Sequence, residues 1–484
     1  LNEERAFVHL IPLLRVAALL TGTVGLLSGC NHAGRTVSEY HGWPYPGGDL
    51  NNTHYIKTVF DDSFTVHPTG ITESGFPAEE IGLCLAGDIR GTKDPEIVMV
   101  GEDRIAVFDS GGKQLLLKEL PEYCAADGLL YDIDDDGKQE IILGSQAAPR
   151  PELFALNGFG ETVLLRQLDE SAMDFSAMYP RAVHTGRLIV RCYPGSQRSP
   201  RGLLFLDPGT FRPLFMSMIN SLPADLCFIP QSDDRESIIV SQETYDQGIF
   251  KELGRRGVFR TPNDTELHLI TLDTDGYLTT VEVLEAAGET LGGRGTFHPI
   301  GPVGSNTLLM VRTPRRQEGD VFDPSIHIID SAGSTILHSR EFPGRQITAY
   351  RVLPDSTILL VCTRPDYAEG NESSRNFLLY VLDSTLSAVH TRPLEVGEIV
   401  LGPTFPLASE RDRFGVLLWE DSRLSMQTTA PPYSVTVLAQ SETLPKTILF
   451  LREAQSPDGS IVCIGEKMEI FRISKMETAT AAEK

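Results

Sequence analysis

The chain concentrates its clearest metal chemistry in one short stretch. Asp132, Asp134 and Asp136 alternate, Gly137 follows, and Glu140 ends the run. Alternating acids in a tight turn converge on one cation, and a glycine lets the backbone bend around it. Ca2+ prefers a shell of hard oxygens. Four carboxylates and a backbone carbonyl at Lys138 would supply one such site. The competing reading is an acidic, solvated turn. A degraded copy lies upstream, where Leu85–Val98 aligns without a gap. Asp88 falls on Asp132 and Glu96 on Glu140, but Arg90 and Thr92 replace Asp134 and Asp136. This copy is expected to hold no metal, with Arg90 standing in for the cation.

A second constellation is cationic. Polar stretches at 146–152, 193–202, 243–266, 313–325, 363–376 and 421–433 separate apolar runs, and several combine arginine with proline or an aromatic. They carry Arg150, Tyr193, Arg198, Arg201, Arg255, Arg256, Phe259, Arg260, Arg315, Arg316, Arg364 and Tyr367. Guanidinium groups bind carboxylates and sulfates bidentately. The competing reading pairs them with local acids such as Glu252, Asp264, Glu318 and Asp366. No catalytic residue can be named. The histidines are scattered, and His327 lies in an apolar run where packing is expected. No phosphate loop, nucleophile elbow or His-Glu-x-x-His occurs.

The formal charge is −24, with 66 acidic against 42 basic residues. Such a surface repels nucleic acid and anionic headgroups. An acidic partner would have to be met by a local group of arginines.

These residues need a frame, and the apolar pattern supplies it. Short runs recur as Glu96–Gly101, Glu140–Ser145, Arg187–Cys192, Ser237–Gln242, Thr307–Arg312, Thr357–Cys362, Phe414–Glu420 and Ser460–Gly465. Runs of this length bounded by turn residues read as buried strands. A third strand follows each and usually ends in a turn led by Asp, as at Asp109, Asp207, Asp273, Asp330 and Asp383. Asp caps the backbone two residues on. No stretch keeps a helical period. An all-β unit of about 50 residues, repeated, is the pattern of a β-propeller. Eight blades are expected, with seven as the alternative if one unit is an insertion. The last unit, Thr447–Ile473, has room for three strands, and Thr53–Phe60 is the candidate for the fourth. In this frame the acidic loop joins the first two strands of a blade. The arginine stretches follow second strands and share the opposite face.

The acidic loop resembles the FG-GAP or VCBS repeat of integrin-like propellers. That resemblance covers the two units at about 81–165 and implies a calcium-binding propeller. Trp43–Asn52 resembles, more weakly, the opening of quinoprotein-like propellers; a proline- and glycine-rich tether is the favoured reading there.

Arg15, the apolar run Val16–Leu27 and Leu27-Ser28-Gly29-Cys30 resemble a bacterial lipoprotein signal. The resemblance implies a removed signal at 1–29 and lipidation at Cys30. It favours the outer membrane, because Asn31 rather than Asp follows. Membrane contact would then come through the acyl chains alone. Residues 30–52 read as the tether, 53–474 as one propeller and 475–484 as a disordered tail. Cys84, Cys192, Cys227, Cys362 and Cys463 sit in apolar runs and are expected to be buried thiols. Cys124 is expected in a loop. The functional expectation is a binding or scaffold module for a protein partner or an acidic glycan. The alternative is an enzyme on the same fold, a polysaccharide lyase or a quinoprotein-like oxidoreductase.

Overall fold

The structure, a computed structural model, describes residues 64–474 apart from 121–123, 146–150, 168–174, 195–201, 220–221, 231–235, 244–266, 287–288, 292, 301–306, 314–322, 331–334, 364–376, 395–398, 408–413, 442–443 and 453–458. It is an eight-bladed β-propeller. Strands a to d run outward from the axis in each blade. Blade 1 is Leu83–Gly87, Glu96–Val100, Arg104–Phe108 and Gln114–Glu119; blade 2 is Cys124–Tyr131, Glu140–Ser145, Glu152–Leu156 and Thr162–Gln167. Blade 3 is Phe175–His184, Arg187–Pro194, Gly202–Leu206 and Pro213–Met218; blade 4 is Leu222–Pro230, Glu236–Glu243, His268–Leu272 and Leu278–Val283. Blade 5 is Arg294–Pro299, Thr307–Thr313, Ser325–Asp330 and Ile336–Glu341; blade 6 is Gln346–Val352, Ile358–Thr363, Phe377–Leu382 and Ala388–Leu394. Blade 7 is Ile399–Pro406, Phe414–Glu420, Arg423–Thr428 and Val435–Gln440. Blade 8 takes Thr447–Leu451, Ser460–Ile464 and Lys467–Ser474 from the C-terminal end and Thr65–Glu73 from the N-terminal end. Every recurrent apolar run is strand b of a blade.

The core lies between blades, which explains why strand b is apolar throughout instead of alternating. In blade 1, Ile97 and Met99 pack toward blade 8, while Val98 and Val100 pack toward blade 2. In blade 2, Ile141 and Leu143 face blade 1, and Ile142 faces blade 3. Both faces of each sheet are therefore covered only by neighbours. Burying one such aliphatic side chain is worth about 1.5–3 kcal/mol, so no blade is stable alone. Strand d faces solvent at alternate positions, as in Thr162–Gln167.

Ring closure differs from expectation. Thr53–Phe60 lies outside the described residues, and the fourth strand of blade 8 is Thr65–Glu73. It runs antiparallel to the last strand from Thr65↔Ser474 to Glu73↔Lys467. This outer strand is half-exposed and polar, so it lacked the apolar run that marked the others. The wide gap between strand b of blade 4 and strand b of blade 5 is filled in part by a small extra hairpin, Glu285–Ala286 with Glu289–Thr290.

Two local expectations are corrected. The stretch 421–433 is not a long connection. Asp421 and Ser422 form a two-residue turn with φ of 48° and 58°, the left-handed pair that hairpins favour. Arg423–Thr428 is strand c. Its Ser425, Gln427 and Thr428 are buried, and that polar composition imitated a loop. Cys124 opens a strand instead of lying in a loop. The five other described cysteines are buried and free. The Asp-led turns form as expected: Asp109 Oδ1 accepts from Gly111 N and Lys113 N, and Asp383 Oδ1 from Thr385 N and Ser387 N.

Candidate functional site

The acidic loop joins strands a and b of blade 2. Carboxylate oxygens of Asp132, Asp134 and Asp136 lie within 4.8 Å of one another. Asp135 and Gly137 take positive φ, 63° and 88°, and this curls the loop so that its N–H groups turn inward. Asp136 N donates to Asp132 Oδ1 and Asp134 Oδ1, and Gly137 N to Asp132 Oδ2. The Lys138 ammonium pairs with Asp136. Three clustered hard oxygens fit a Ca2+ ion, which would replace that ammonium as counter-charge.

Glu140 is placed differently from the three aspartates. It is buried at the start of strand b, and its Oε2 accepts from Ile133 N at 2.9 Å. Burial and the three nearby aspartates push its carboxyl up to about 7, against the Ile133 hydrogen bond. Glu96 does the same in the degraded copy, accepting from Ile89 N at 3.0 Å. This glutamate therefore shapes the loop whether or not the loop holds metal. Arg90 does not fill the degraded loop. Its guanidinium stacks on the Phe159 ring of blade 2, 4.7 Å from the centroid. Thr92 and Lys93 N–H groups and the Thr92 hydroxyl satisfy Asp88 and Glu96 instead.

Replacing Asp134 and Asp136 together by Ala is expected to remove one bound Ca2+ and its stabilisation. That stabilisation is about 2.7 kcal/mol at a hundredfold excess of Ca2+ over Kd. Thermal melts with Ca2+ and with chelator check it: identical wild-type midpoints would leave the loop as a turn only.

Most of the cationic candidates lie outside the described residues: Arg150, Arg198, Arg201, Arg255, Arg256, Phe259, Arg260, Arg315, Arg316, Arg364 and Tyr367. The strand ends that carry two of these connections are described. Glu243 ends strand b of blade 4 and pairs with Arg294, which opens strand a of blade 5. Arg294 pairs in turn with Thr313, which ends strand b of blade 5. The connections after Glu243 and Thr313 thus leave from one end of the ring, opposite the acidic loop. Tyr193 is in a strand, not a loop. Its hydroxyl donates to Pro223 O at 3.2 Å, and its ring meets Tyr179 edge-on.

A further polar cluster lies on the axial strands, and it was not foreseen. Arg181 sits on strand a of blade 3, and its side chain is 2% exposed. The ladder breaks register between Pro180 and Ala182, so Arg181 is the extra residue of a β-bulge, a device that re-aims a side chain. Its Nε donates to Asp225 of blade 4 at 2.7 Å. Its Nη1 and Nη2 are buried without a hydrogen-bond acceptor among the described residues. Arg191 pairs with Asp127 of blade 2 and lies over the Tyr179 ring. Burial opposes ionisation of Asp225, but Arg181 and Arg191 outweigh it and hold the carboxyl down to about 2. At Asp127 burial wins, and its carboxyl is raised despite the same two arginines.

On blades 5 and 6, Tyr350 OH contacts Thr296 Oγ1 at 2.9 Å and also His298. Burial lifts this phenol to about 12. Arg351 donates to the carbonyls of Tyr350, Leu401 and Gly402. Burial lowers its guanidinium to about 10. None of its three acceptors is charged. Arg181, Arg191 and Arg351 thus set three guanidiniums against the two carboxylates Asp127 and Asp225 inside a strongly acidic protein.

No family model and no curated protein matches the chain. Solved structures do. A quinohemoprotein alcohol dehydrogenase from Comamonas testosteroni superposes with a TM-score of 0.57 at 12% identity, over 89% of this chain and 80% of that one. A quinohemoprotein alcohol dehydrogenase, ADHIIG, from Pseudomonas putida HK5 gives 0.56 at 10% identity, over 92% and 81%. The WD40 domain of SCAP from fission yeast gives a lower TM-score of 0.37 at 10% identity, over 85% and 98%. At these identities the two dehydrogenase likenesses show the fold, and what this chain shares with those enzymes is the β-propeller.

Proposed function

We propose that the protein is a lipid-anchored, extracytoplasmic β-propeller that binds an anionic partner at the end of the ring opposite its acidic loop. The partner is an acidic glycan or the acidic surface of another protein. The observation that carries this reading is Arg351, a half-buried guanidinium on an axial strand whose three acceptors are all neutral carbonyls. A half-buried cation that meets no counter-charge among the described residues is costly, and an anionic group entering the axis would relieve that cost. The choice of end rests on a separate observation, the alignment of Glu243, Arg294 and Thr313, because the connections that follow Glu243 and Thr313 in sequence hold Arg255, Arg256, Arg315 and Arg316. The Cys30 motif supports the anchor and an outer-membrane location, and the FG-GAP-like loop supports one Ca2+ as a structural ion. The competing enzymatic reading, a lyase or a quinoprotein-like oxidoreductase, rests on fold likeness.

Replacing Arg255, Arg256, Arg315 and Arg316 together by Ser is expected to weaken binding to polygalacturonate. Wild-type affinity should also fall as salt rises. The fold should survive, since all four lie in sequence outside the propeller strands, and substitutions away from a packed core usually cost under about 0.5 kcal/mol each. Equal affinity in wild type and variant, measured by calorimetry, would remove the arginine connections from the reading. Release of unsaturated products from the same polymer would replace binding by lyase chemistry.

A further inference from the structure

In four blades the third strand ends in a turn whose lead side chain accepts from the backbone N–H four residues on. Lys113 N donates to Asp109, Glu161 N to Asn157, and Ser387 N to Asp383. In blade 4 the donor is Tyr277 N, to Asp273 Oδ1 at 2.8 Å. The turn asks only for a backbone N–H at that place, and elsewhere the side chain there is polar. A phenol at 277 is therefore not required by the turn.

This phenol is also displayed. Tyr277 is 63% exposed, yet its ring is held flat. It lies parallel to Phe215 of blade 3, at 8° and 5.5 Å between centroids. Phe215 in turn stacks on buried Phe205, at 13° and 4.4 Å. Gly276 makes the seat possible. With φ of 82°, a Cβ there would come within 2.5 Å of Phe205 and 2.8 Å of Phe215, so only a bare backbone lies so close to the rings. Beside the stack, Arg187 Nη2 pairs with Asp275 Oδ1 at 2.8 Å, and the Asp275 side chain is 60% exposed. Arg187 Cζ is 5.6 Å from the Phe215 centroid.

We infer that Tyr277, Asp275 and Arg187 form a carbohydrate-binding platform that takes a pyranose ring of a neutral glycan. An immobilised aromatic face matches the C–H face of a sugar. The neighbouring carboxylate accepts from its hydroxyls, and the guanidinium donates to them. Fixing the ring beforehand lowers the entropy lost on binding. The platform lies at the end of the ring that carries the acidic loop, opposite the arginine connections. It stands independently of the anionic-partner reading, and a neutral sugar tests it alone.

The test titrates the full chain with cellohexaose, chitohexaose and mannohexaose by calorimetry and saturation-transfer NMR. At least one is expected to bind with little dependence on salt. Tyr277→Phe should retain binding. Tyr277→Ala should weaken it about tenfold, the scale of one aromatic stacking contact plus its buried area. Asp275→Ala should weaken it with an unchanged melting temperature. The proposal is overturned if no hexasaccharide binds, or if Tyr277→Ala binds as wild type does. It is also overturned if Tyr277→Ala lowers only the melting temperature, which would make the stack an inter-blade lock.

Discussion

Arg181→Met is expected to destabilise the protein by about 3–5 kcal/mol, the usual consequence of breaking a buried ion pair from one side. The substitution leaves the Asp225 carboxylate facing Asp127, with Arg191 alone to balance both. Removing both partners should cost much less. Arg181→Met with Asp225→Leu deletes the stranded charge, and buried pairs replaced by apolar side chains are often close to neutral. A double-mutant cycle in urea at neutral pH reads the coupling directly. Near-additive single and double variants would mean that solvent in the axis already screens the pair.

The pH dependence has a definite sign. The folded-state pKa of Asp225 is depressed to about 2, against about 3.9 in an unfolded chain. Its contribution, about 2–3 kcal/mol by linkage, is complete above the unfolded value and is lost as pH falls through about 2. Asp127 works in the opposite direction. Its folded pKa is raised, so its protonated form favours folding, and that contribution fades as pH rises above the unfolded value. In Arg181→Met the depression at Asp225 should shrink, since only Arg191 and the Leu226 N–H still oppose burial. The gap between wild type and variant should therefore narrow as pH falls from about 4 toward 2. A gap that stays constant across that window would assign the loss to packing around the guanidinium stem.

The sequence revealed this architecture where both faces of a strand are covered. Glu96–Gly101 and Glu140–Ser145 are apolar throughout because blades pack on each side of them, and such runs can be counted without knowing any contact. The acidic loop was legible for a related reason: its alternation, glycine and degraded copy are all local. What stayed hidden was either polar or distant. Arg423–Thr428 buries Ser425, Gln427 and Thr428, so a core strand had a loop's composition. Arg181 and Asp225 belong to different blades and meet only because the ring closes. The bulge that exposes Arg181 to Asp225 is a register event between Pro180 and Ala182, which no single-strand pattern records. Glu140 shows a subtler limit. Its spacing from the aspartates reads as ligation, whereas the same bond at Glu96 shows that loop shaping alone asks for a glutamate there.

A chain beginning at Gly75 is expected to lose cooperative folding. Without Thr65–Glu73, the last strand of blade 8 keeps one backbone edge unpaired along Lys467–Ser474. Phe64 also goes, and with it the edge contact to Phe405 of blade 7 at 6.0 Å. Ser74 goes too. It is buried, and its hydroxyl and N–H both donate to Glu466 O, in the turn between strands b and c of blade 8. The removed strand is half-exposed, so little apolar area is lost with it. The larger effect is topological. Blade 8 is the only blade built from both ends of the described chain, so its outer strand is what ties the first blade's end of the chain to the last. An open outer edge next to the apolar blade 8 core is also a template for pairing with another chain. The shortened protein should therefore melt broadly and at lower temperature and form oligomers on sizing columns. A peptide of residues 64–74 added in excess should restore a sharp transition. A shortened chain that stays monomeric with an unchanged melting temperature would show that blade 8 holds the ring closed with three strands.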